Sequence, residues 1–336
     1  MGEFQDNPSK KIIRTKWCKP LIKFIHEHLR YKFIYMGLPG IQALDLCEWI
    51  DYIDHVIAFQ CRDYPNPSST SQPRKRVDEL ENKLRELERT RKLVSFSVYD
   101  GYIEEVVLRG RDTNGNSFGQ NDVVTIYNLD FCNGITSPLE VMDDKGNVQK
   151  YYKSQAIRKL LEMQRDIASS SRTKKFIMFL TINSRFWDKE ADDFVTTAES
   201  RVLEDYFSKV NKLKNPEKKV RLLKSYVFET IRGYFTHCDF TPEFLPVINY
   251  KGTGGEWLLH FVIIGALSRG ISGAPRIQKA EDFLSQSFLG IKNGIIFPFK
   301  FTNSTFPETD GGIDAVEIFC NSHCYKNVWL DQGGRK

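Results

Sequence analysis

Residues 32–45 read Lys-Phe-Ile-Tyr-Met-Gly-Leu-Pro-Gly-Ile-Gln-Ala-Leu-Asp. The apolar run Phe33–Met36 predicts a short buried strand that stops at Gly37, and Gly40 opens an amphipathic helix that runs to about Ile53. The stretch therefore predicts a strand, a tight glycine turn and a helix. A ligand can approach such a turn closely, because glycine has no Cβ and a helix N-terminus offers unpaired N–H groups. The same turn is also a plain connection in many α/β domains, so its meaning depends on the rest of the chain.

The composition indicates a globular protein. The chain has 336 residues, of which 41% are apolar and 13% aromatic, enough to bury a sizeable core. The longest apolar run, Trp257–Leu267, is too short to cross a bilayer and contains His260. The first residues lack an apolar signal core, and seven scattered cysteines are typical of a reducing compartment. We expect a cytoplasmic protein with no membrane partner.

Predicted strands and helices alternate along the first two thirds of the chain. Strands are predicted at Phe33–Met36, His55–Gln60, Leu93–Val98, Asp122–Leu129 and Lys175–Thr181. Helices are predicted at Trp17–Arg30, Arg74–Lys92, Ser154–Ala168, Asp192–Val210 and Val220–Phe235. This alternation is typical of an α/β domain with a mainly parallel sheet. The runs Phe244–Tyr250 and Trp257–Ile264, joined by a glycine-rich connection, predict a hairpin that adds an antiparallel strand.

The sequence divides into three predicted segments. A basic N-terminal tail and helix occupy residues 1–30, and the α/β domain occupies residues 31–270. Residues 271–336 form a C-terminal extension with one predicted helix, Ile277–Phe288.

This order of elements resembles the class I S-adenosylmethionine-dependent methyltransferase family, over about residues 30–267. The resemblance implies a three-layer Rossmann-like α/β fold, with a mainly parallel seven-stranded sheet that ends in an antiparallel hairpin. It implies S-adenosylmethionine as cofactor and methyl transfer as activity. In that family the glycine turn after the first strand holds the methionine part of the cofactor, which corresponds here to Gly37, Leu38, Pro39 and Gly40.

The resemblance implies further cofactor contacts at the ends of the next two strands. Gln60 stands where the family usually has a carboxylate for the ribose hydroxyls, with Asp63 three residues on, and Asp100, preceded by Tyr99, fits the acid that contacts adenine. An amide offers one oxygen acceptor without charge assistance, so Gln60 costs on the order of 1–2 kcal/mol of cofactor affinity. The turn also carries two glycines rather than the commoner three. A catalytically silent binding or scaffold subunit of a larger complex, with the same fold, is therefore the alternative.

The stretch Asn128–Asn133 contains the predicted catalytic residues, Asn128, Asp130 and Phe131. Polar groups at the end of a buried strand lie where open α/β sheets bind ligands. Asn-Leu-Asp-Phe loosely resembles the tetrad with which amino-methylating enzymes hold an amine and stack a base, although both prolines of that tetrad are absent. The other interpretation of Asp130 is a cap for the next turn. Methyl transfer needs mainly alignment and desolvation, because the sulfonium is already a good leaving group.

Two cysteine-containing stretches have weaker chemical interpretations. Cys132 lacks the Pro-Cys context of a nucleophile and is interpreted as a buried, inert thiol. Cys320, His323 and Cys324 have metal-ligand side chains, but a closed zinc site needs four ligands. We therefore predict no metal.

Charge is unevenly distributed, which bears on partners. Residues 1–32 contain eight Lys or Arg and three Asp or Glu, an excess equal to the net charge of +5 of the whole chain. This basic N-terminus could contact nucleic acid phosphates. A protein partner could bind the Arg74–Lys92 helix or the C-terminal extension. We expect a macromolecular substrate and favour nucleic acid over protein.

Overall fold

The computed structural model describes most of the chain. The described residues are 7–30, 32–61, 75–131, 134–142, 146–171, 173–184, 206, 208–214, 217–252, 255–268, 278–299, 301 and 312–322. The predicted helix Asp192–Val210 lies largely outside them, as do Asp63, Cys132, Asn133, His323 and Cys324. Within the described residues, no helix is both long and apolar enough to cross a membrane.

The secondary structure follows the predicted alternation. The strands are β1 Phe33–Gly37, β2 Ile53–Gln60, β3 Ser95–Asp100, β4 Ile126–Asp130, β5 Leu139–Met142, β6 Val148–Tyr151, β7 Lys175–Asn183, β8 Phe240–Phe244, β9 Ile248–Lys251, β10 Trp257–Leu267, β11 Phe288–Lys292 and β12 Ile295–Phe299. The α-helices are α1 Pro8–Ile12, α2 Lys19–Leu29, α3 Leu44–Trp49, α4 Lys75–Arg89, α5 Ile103–Arg109, α6 Lys153–Ala168, α7 Glu217–His237, α8 Ala280–Ser285 and α9 Ala315–Asn321. A π-helix, Ile13–Cys18, joins α1 to α2.

The central sheet has the order β12-β11-β9-β10-β7-β4-β1-β2-β3, and β8 also pairs with β10. Strands β3, β2, β1, β4 and β7 are parallel, whereas β10 is antiparallel to β7, β8 and β9. The predicted α/β fold with a mainly parallel sheet that ends in antiparallel strands is confirmed. The chain leaves β1 for β2 and β3 on one side and returns to β4 on the other. This reversal creates a crevice beyond the carboxyl ends of β1 and β4, the usual ligand position in such sheets.

Both faces of the sheet are covered, which is why its central strands are mostly apolar. Every residue of β7 is buried. One core cluster holds α5, α6 and α7 against one face, and a second holds α2, α3, α4 and α9 against the other. Continuous apolar strands of this kind belong to parallel sheets buried on both sides.

The sheet is larger than the seven strands predicted. The predicted strand at 244–250 consists of two pieces, β8 and β9, and the predicted hairpin is β9 with β10. Strands β11 and β12 then extend the sheet through a parallel bridge between Leu289 and Ile248. The C-terminal segment therefore continues the central sheet, and Phe319 of α9 packs on Phe24 of α2.

Several predicted boundaries were wrong. The helix predicted at residues 41–53 is only α3, because Gly40 and Ala43 both have positive φ angles and form a turn, and Ile53 already starts β2. The C-terminal helix predicted at residues 277–288 ends at Ser285, because Phe288 begins β11. The hairpin of β5 and β6 was not predicted at all.

Candidate functional site

A cavity of about 470 Å³ opens at the crevice beyond β1, β2 and β4. Its volume falls in the range of small-molecule and cofactor sites. Its lining comprises Asn7, Lys10, Arg14, Leu38, Pro39, Gly40, Ile41, Gln42, Leu44, Asp45, Phe59, Gln60, Cys61, Arg76, Gly101, Tyr102, Ile103, Glu104, Asp130, Phe131, Pro138, Leu139, Glu140 and Lys153. The lining thus includes six of the ten predicted site residues: Leu38, Pro39, Gly40, Gln60, Asp130 and Phe131.

The glycine turn forms one wall and requires its first glycine. A Cβ on Gly37 would lie 2.2 Å from the backbone oxygen of Asn128, so only glycine lets β1 approach β4 this closely. The N–H of Leu38 donates to that same oxygen at 3.0 Å. Leu38, Pro39 and Gly40 then line the cavity, while Gly37 sets the strand spacing behind them.

The ends of β2 and β3 form the next wall. Gln60 and Cys61 face the cavity from β2, and Gly101 and Tyr102 face it from the residues that follow β3. Burial raises the pKa of the Cys61 thiol, opposed by a hydrogen bond with Tyr102. The side chain of Gln60 makes no hydrogen bond to any part of the chain that the structure describes.

Asp100 and Tyr99 are not part of the lining. The carboxylate of Asp100 accepts a hydrogen bond from Asn114 Nδ2 at 3.2 Å, and its backbone oxygen accepts one from Thr113 Oγ1 at 2.8 Å. The ring of Tyr99 stacks on Phe59, with 5.6 Å between centroids. The structure therefore brings Gly101 and Tyr102, and not the predicted pair, to the cavity at this strand end.

The end of β4 supplies one interior and two lining residues. Asn128 is buried, and its Nδ2 donates to Tyr35 Oη at 3.1 Å and to Asp45 Oδ2 at 2.8 Å. Asp130 and Phe131 line the cavity, and the ammonium of Lys153 lies 5.8 Å from the Phe131 ring centroid. Asn128 itself does not line the cavity, but its amide orients the carboxylate of Asp45, which does.

The N-terminal segment closes this side of the cavity, which the sequence did not predict. Lys10 forms an ion pair with Asp130, and Arg14 Nη1 forms one with Asp45 Oδ1 at 3.1 Å. Asn7 Nδ2 donates to the backbone oxygen of Lys251 at 3.4 Å. Part of the basic N-terminal excess thus serves an internal site. The only hint in the sequence was that excess itself.

The acidic and basic side chains of the lining are equal in number and largely paired with one another. A third pair joins Lys153 Nζ to Glu104 Oε1 at 3.3 Å, with both side chains nearly buried. Burial raises the pKa of Asp45, although the hydrogen bond from Asn128 and the charge of Arg14 lower it in part. The cavity therefore carries compensated charge on the β4 side, whereas its β1–β2 side presents Gln60 and Cys61 together with the cationic side chain of Arg76.

A buried polar cluster lies behind Asp130. His260 Nδ1 is 2.9 Å from Thr181 Oγ1, and its Nε2 is 3.5 Å from Cys18 Sγ. Burial lowers the pKa of His260 to about 4, although the charge of Asp130 opposes this shift. Sequence reasoning found no partners for His260, because both of its partners are distant along the chain.

The predicted absence of a metal stays a prediction. Within the described ranges no group of three or more His, Cys, Asp or Glu side chains is arranged to hold a metal ion. Of the cysteines and histidine considered for zinc in the tail, only Cys320 is described, half-buried in α9.

Comparisons with known proteins give distant structural likenesses alone. No family model matches the sequence, and no curated protein matches it. A Pyrococcus horikoshii protein assigned as a transferase is 12% identical, covering 78% of this chain and 64% of its own, with a TM-score of 0.37. The small RNA methyltransferase HEN1 is 15% identical, covering 82% of this chain and 27% of its own, with a TM-score of 0.36. A SAM-dependent methyltransferase from Methanosarcina mazei is 12% identical, covering 72% of this chain and 96% of its own, with a TM-score of 0.34. TM-scores this low carry no argument about what the cavity binds.

Proposed function

We propose that this chain is an S-adenosylmethionine-dependent methyltransferase of divergent sequence that acts on a macromolecule. The observation that carries the proposal is the cavity at the reversal of strand order, with a close glycine turn on one side and Asp130 and Phe131 on the other. Class I methyltransferases, which the sequence resembles, hold their cofactor in this position of the sheet.

The residues present fit such a cofactor on the β1–β2 side. Leu38, Pro39 and Gly40 line the cavity, and no atom lies within 4 Å of a Cβ placed on Gly40, so the backbone of the turn is open to a ligand there. Gln60 offers an amide to the ribose hydroxyls, and the apolar side chains of Leu38, Phe59 and Ile103 offer a surface for the adenine. When bound, the cofactor would supply an electrophilic methyl group on a sulfonium.

The residues on the β4 side would handle the acceptor. Asp130 can accept a hydrogen bond from an amine or hydroxyl of the substrate. This hydrogen bond would hold the lone pair of the substrate's nitrogen or oxygen toward the methyl group of the cofactor. Phe131 offers an apolar ring beside it that excludes water. Lys10 forms an ion pair with Asp130. An incoming acceptor would therefore have to replace Lys10 as the partner of this carboxylate.

Nucleic acid is the macromolecule favoured as substrate. The basic excess of residues 1–32 suits a polyanion such as nucleic acid, even though Lys10 and Arg14 are paired with Asp130 and Asp45.

Calorimetric titration with S-adenosylmethionine and S-adenosylhomocysteine tests the proposal. We expect saturable binding of both, and we expect Leu38→Trp to abolish it by filling the cavity, whereas Leu38→Met keeps it because volume is conserved. Absence of binding by the wild-type protein at about millimolar ligand, a free energy of roughly −4 kcal/mol, would overturn the proposal.

A catalytically silent subunit that binds a partner is the second candidate. The Lys10–Asp130 ion pair favours it, because it covers the only lining carboxylate at the end of β4 within the described residues. If the wild-type protein is well folded and still binds no cofactor, this candidate is favoured. Saturable cofactor binding followed by methyl incorporation into an added nucleic acid would exclude it.

A further inference from the structure

A run of lysines lies just before and at the start of α7, outside the cavity. It comprises Lys209, Lys212, Lys214, Lys218 and Lys219, here called the lysine run. The single acid between residues 208 and 221 is Glu217, which pairs with Arg221 at 2.9 Å. No ion pair involves the lysine run within the described part of the chain, and all of it except Lys218 is exposed. Its charge is therefore available to an external anion.

The lysine run lies at the same edge of the sheet as the cavity. Helix α7 has 21 residues and spans about 30 Å. It ends at His237, close to the start of β8. The start of β8 pairs with the end of β10, which in turn pairs with Lys175, the first residue of β7. The helix therefore begins at the opposite edge, where the parallel strands end and the cavity opens.

A cluster of aromatic rings continues the same surface. The cluster comprises Trp257, Phe299 and Phe301, all half-buried, with ring centroids 4.7 to 6.1 Å apart. Phe301 lies edge-on to Phe288 at 5.7 Å, and the guanidinium of Arg221 lies 5.7 Å from the Phe288 centroid. These contacts connect the aromatic cluster to the first turns of α7, next to the lysine run.

The aromatic cluster also reaches the cavity. The ammonium of Lys251 lies 5.2 Å from the Trp257 ring centroid, at the turn between β9 and β10. The backbone oxygen of Lys251 accepts the hydrogen bond from Asn7, which lines the cavity. A chain of contacts through Phe288, the aromatic cluster and Lys251 thus links the first turns of α7, next to the lysine run, to Asn7 in the cavity lining.

We propose that the lysine run and the aromatic cluster form a binding surface for single-stranded nucleic acid. Lysines that lack acidic partners attract a phosphate backbone, and neighbouring aromatic rings stack on bases, a combination that suits single strands. A base must also be unstacked before it can enter a cavity of this kind. An acidic protein segment would use the lysines but would gain little from the rings. Delivery of a base to the cavity rests on the proposed function; binding at the surface does not.

Fluorescence anisotropy with labelled single-stranded RNA and DNA of about 15 nucleotides tests the proposal. The triple variant Lys209→Gln, Lys212→Gln, Lys214→Gln is expected to bind the oligonucleotides at least about tenfold more weakly than the wild type does. The slope of log affinity against log salt concentration should become shallower by up to about 2, at roughly 0.7 per lost phosphate contact. The control variant Arg85→Gln, Arg89→Gln, Lys92→Gln removes the same charge from exposed positions in and just after α4, and is expected to bind as the wild type does. Equal weakening by both triple variants would overturn the proposal.

A second pair of variants tests the rings separately from the charge. Trp257→Leu is expected to weaken binding roughly tenfold, the size of a lost base-stacking contact, while Trp257→Phe keeps most of the affinity because it retains an aromatic face. Thermal unfolding of both variants verifies that they remain folded. Equal affinities of Trp257→Leu and Trp257→Phe, or equally tight binding of poly-glutamate or duplex DNA, would overturn the single-strand proposal.

The cofactor titration separates the two proposals. None of the substituted residues lines the cavity, so S-adenosylmethionine is expected to bind the variants as it binds the wild type. Oligonucleotide binding without cofactor binding would support the proposed binding surface and overturn the methyltransferase proposal. Cofactor binding without oligonucleotide binding would overturn the proposed binding surface alone.

Discussion

The two halves of the cavity differ in how their polar groups are satisfied. On the β1–β2 side, Gln60 faces the cavity without a hydrogen bond from the described residues, beside an open glycine turn. On the β4 side, Asp130 and Asp45 are each paired with a cation of the N-terminal segment. The difference suggests that the first half is preorganised for a ligand, whereas the second must exchange a protein partner for its ligand.

Gly37→Ala is expected to have the largest effect, because it breaks the junction of the two halves. Its Cβ would lie 2.2 Å from a backbone oxygen of β4, so strands must separate. We expect a loss of about 3 kcal/mol of unfolding free energy, the upper part of the usual range for overpacking. Chemical denaturation measures it.

Gly40→Ala is the matched control for that variant. No atom lies within 4 Å of its added Cβ, and only the positive φ of 65° is strained, which costs about 1 kcal/mol. Equal losses for the two glycines would contradict the close approach of β1 and β4.

Asn128→Ala is expected to disturb the β4 half alone. It removes the amide that donates to the buried hydroxyl of Tyr35 and to the part-buried carboxylate of Asp45, at a cost of about 2 kcal/mol. Because Asn128 does not line the cavity, cofactor affinity should fall less than twofold. A large loss of cofactor affinity with unchanged stability would instead make Asn128 a direct ligand contact.

His260→Asn is expected to change how stability depends on pH. The pKa of His260 is lowered from 6.5 to about 4 by burial, so between these values the unfolded chain binds more protons. The unfolding free energy of the wild type therefore falls as pH decreases from about 6.5 to 4, by up to about 3 kcal/mol, at 1.36 kcal/mol per pKa unit. The variant should lose this part of the slope, measured by urea unfolding across that range. An unchanged slope would show that His260 titrates normally.

Lys10→Ala is expected to have the smallest effect on stability. The ion pair with Asp130 is partly exposed, with 28% and 24% of the two side chains accessible, so its loss should cost less than about 1 kcal/mol. Lys11→Ala, one residue along and outside the cavity lining, is the control. If the N-terminal segment only covers the β4 half, the two variants should bind the cofactor with the same affinity. A loss of cofactor affinity in Lys10→Ala alone would show that Lys10 contacts the cofactor.

The sequence predicted the parts of the fold that depend on local pattern. Apolar runs identified the five parallel strands, and the glycine-rich connection identified the β9–β10 hairpin. It did not predict β11 and β12, which are short and add to the sheet through one bridge to a strand some 40 residues earlier. Such long-range pairing leaves little periodicity to detect.

The sequence predicted those residues of the cavity lining that follow directly from the ends of strands. It did not predict those that segments distant along the chain bring to the cavity. Strand ends brought Gln60 and Asp130 to the cavity. The ion pair of Lys10 with Asp130 joins residues 120 positions apart, and Asp45 was hidden inside a predicted helix. Side-chain direction explains the remaining differences, because Asp100 and Asn128 leave the same strand ends but turn into the protein.

The affinity of Gln60 variants for S-adenosylhomocysteine decides whether the β1–β2 half binds the cofactor, since Gln60 presents its amide to the cavity there. By calorimetry, we expect Gln60→Glu to bind about five- to thirtyfold more tightly than the wild type, because a carboxylate accepts from both ribose hydroxyls, a gain of about 1–2 kcal/mol. Gln60→Leu should bind more weakly by a similar factor. Identical affinities of the wild type and both variants would contradict the account.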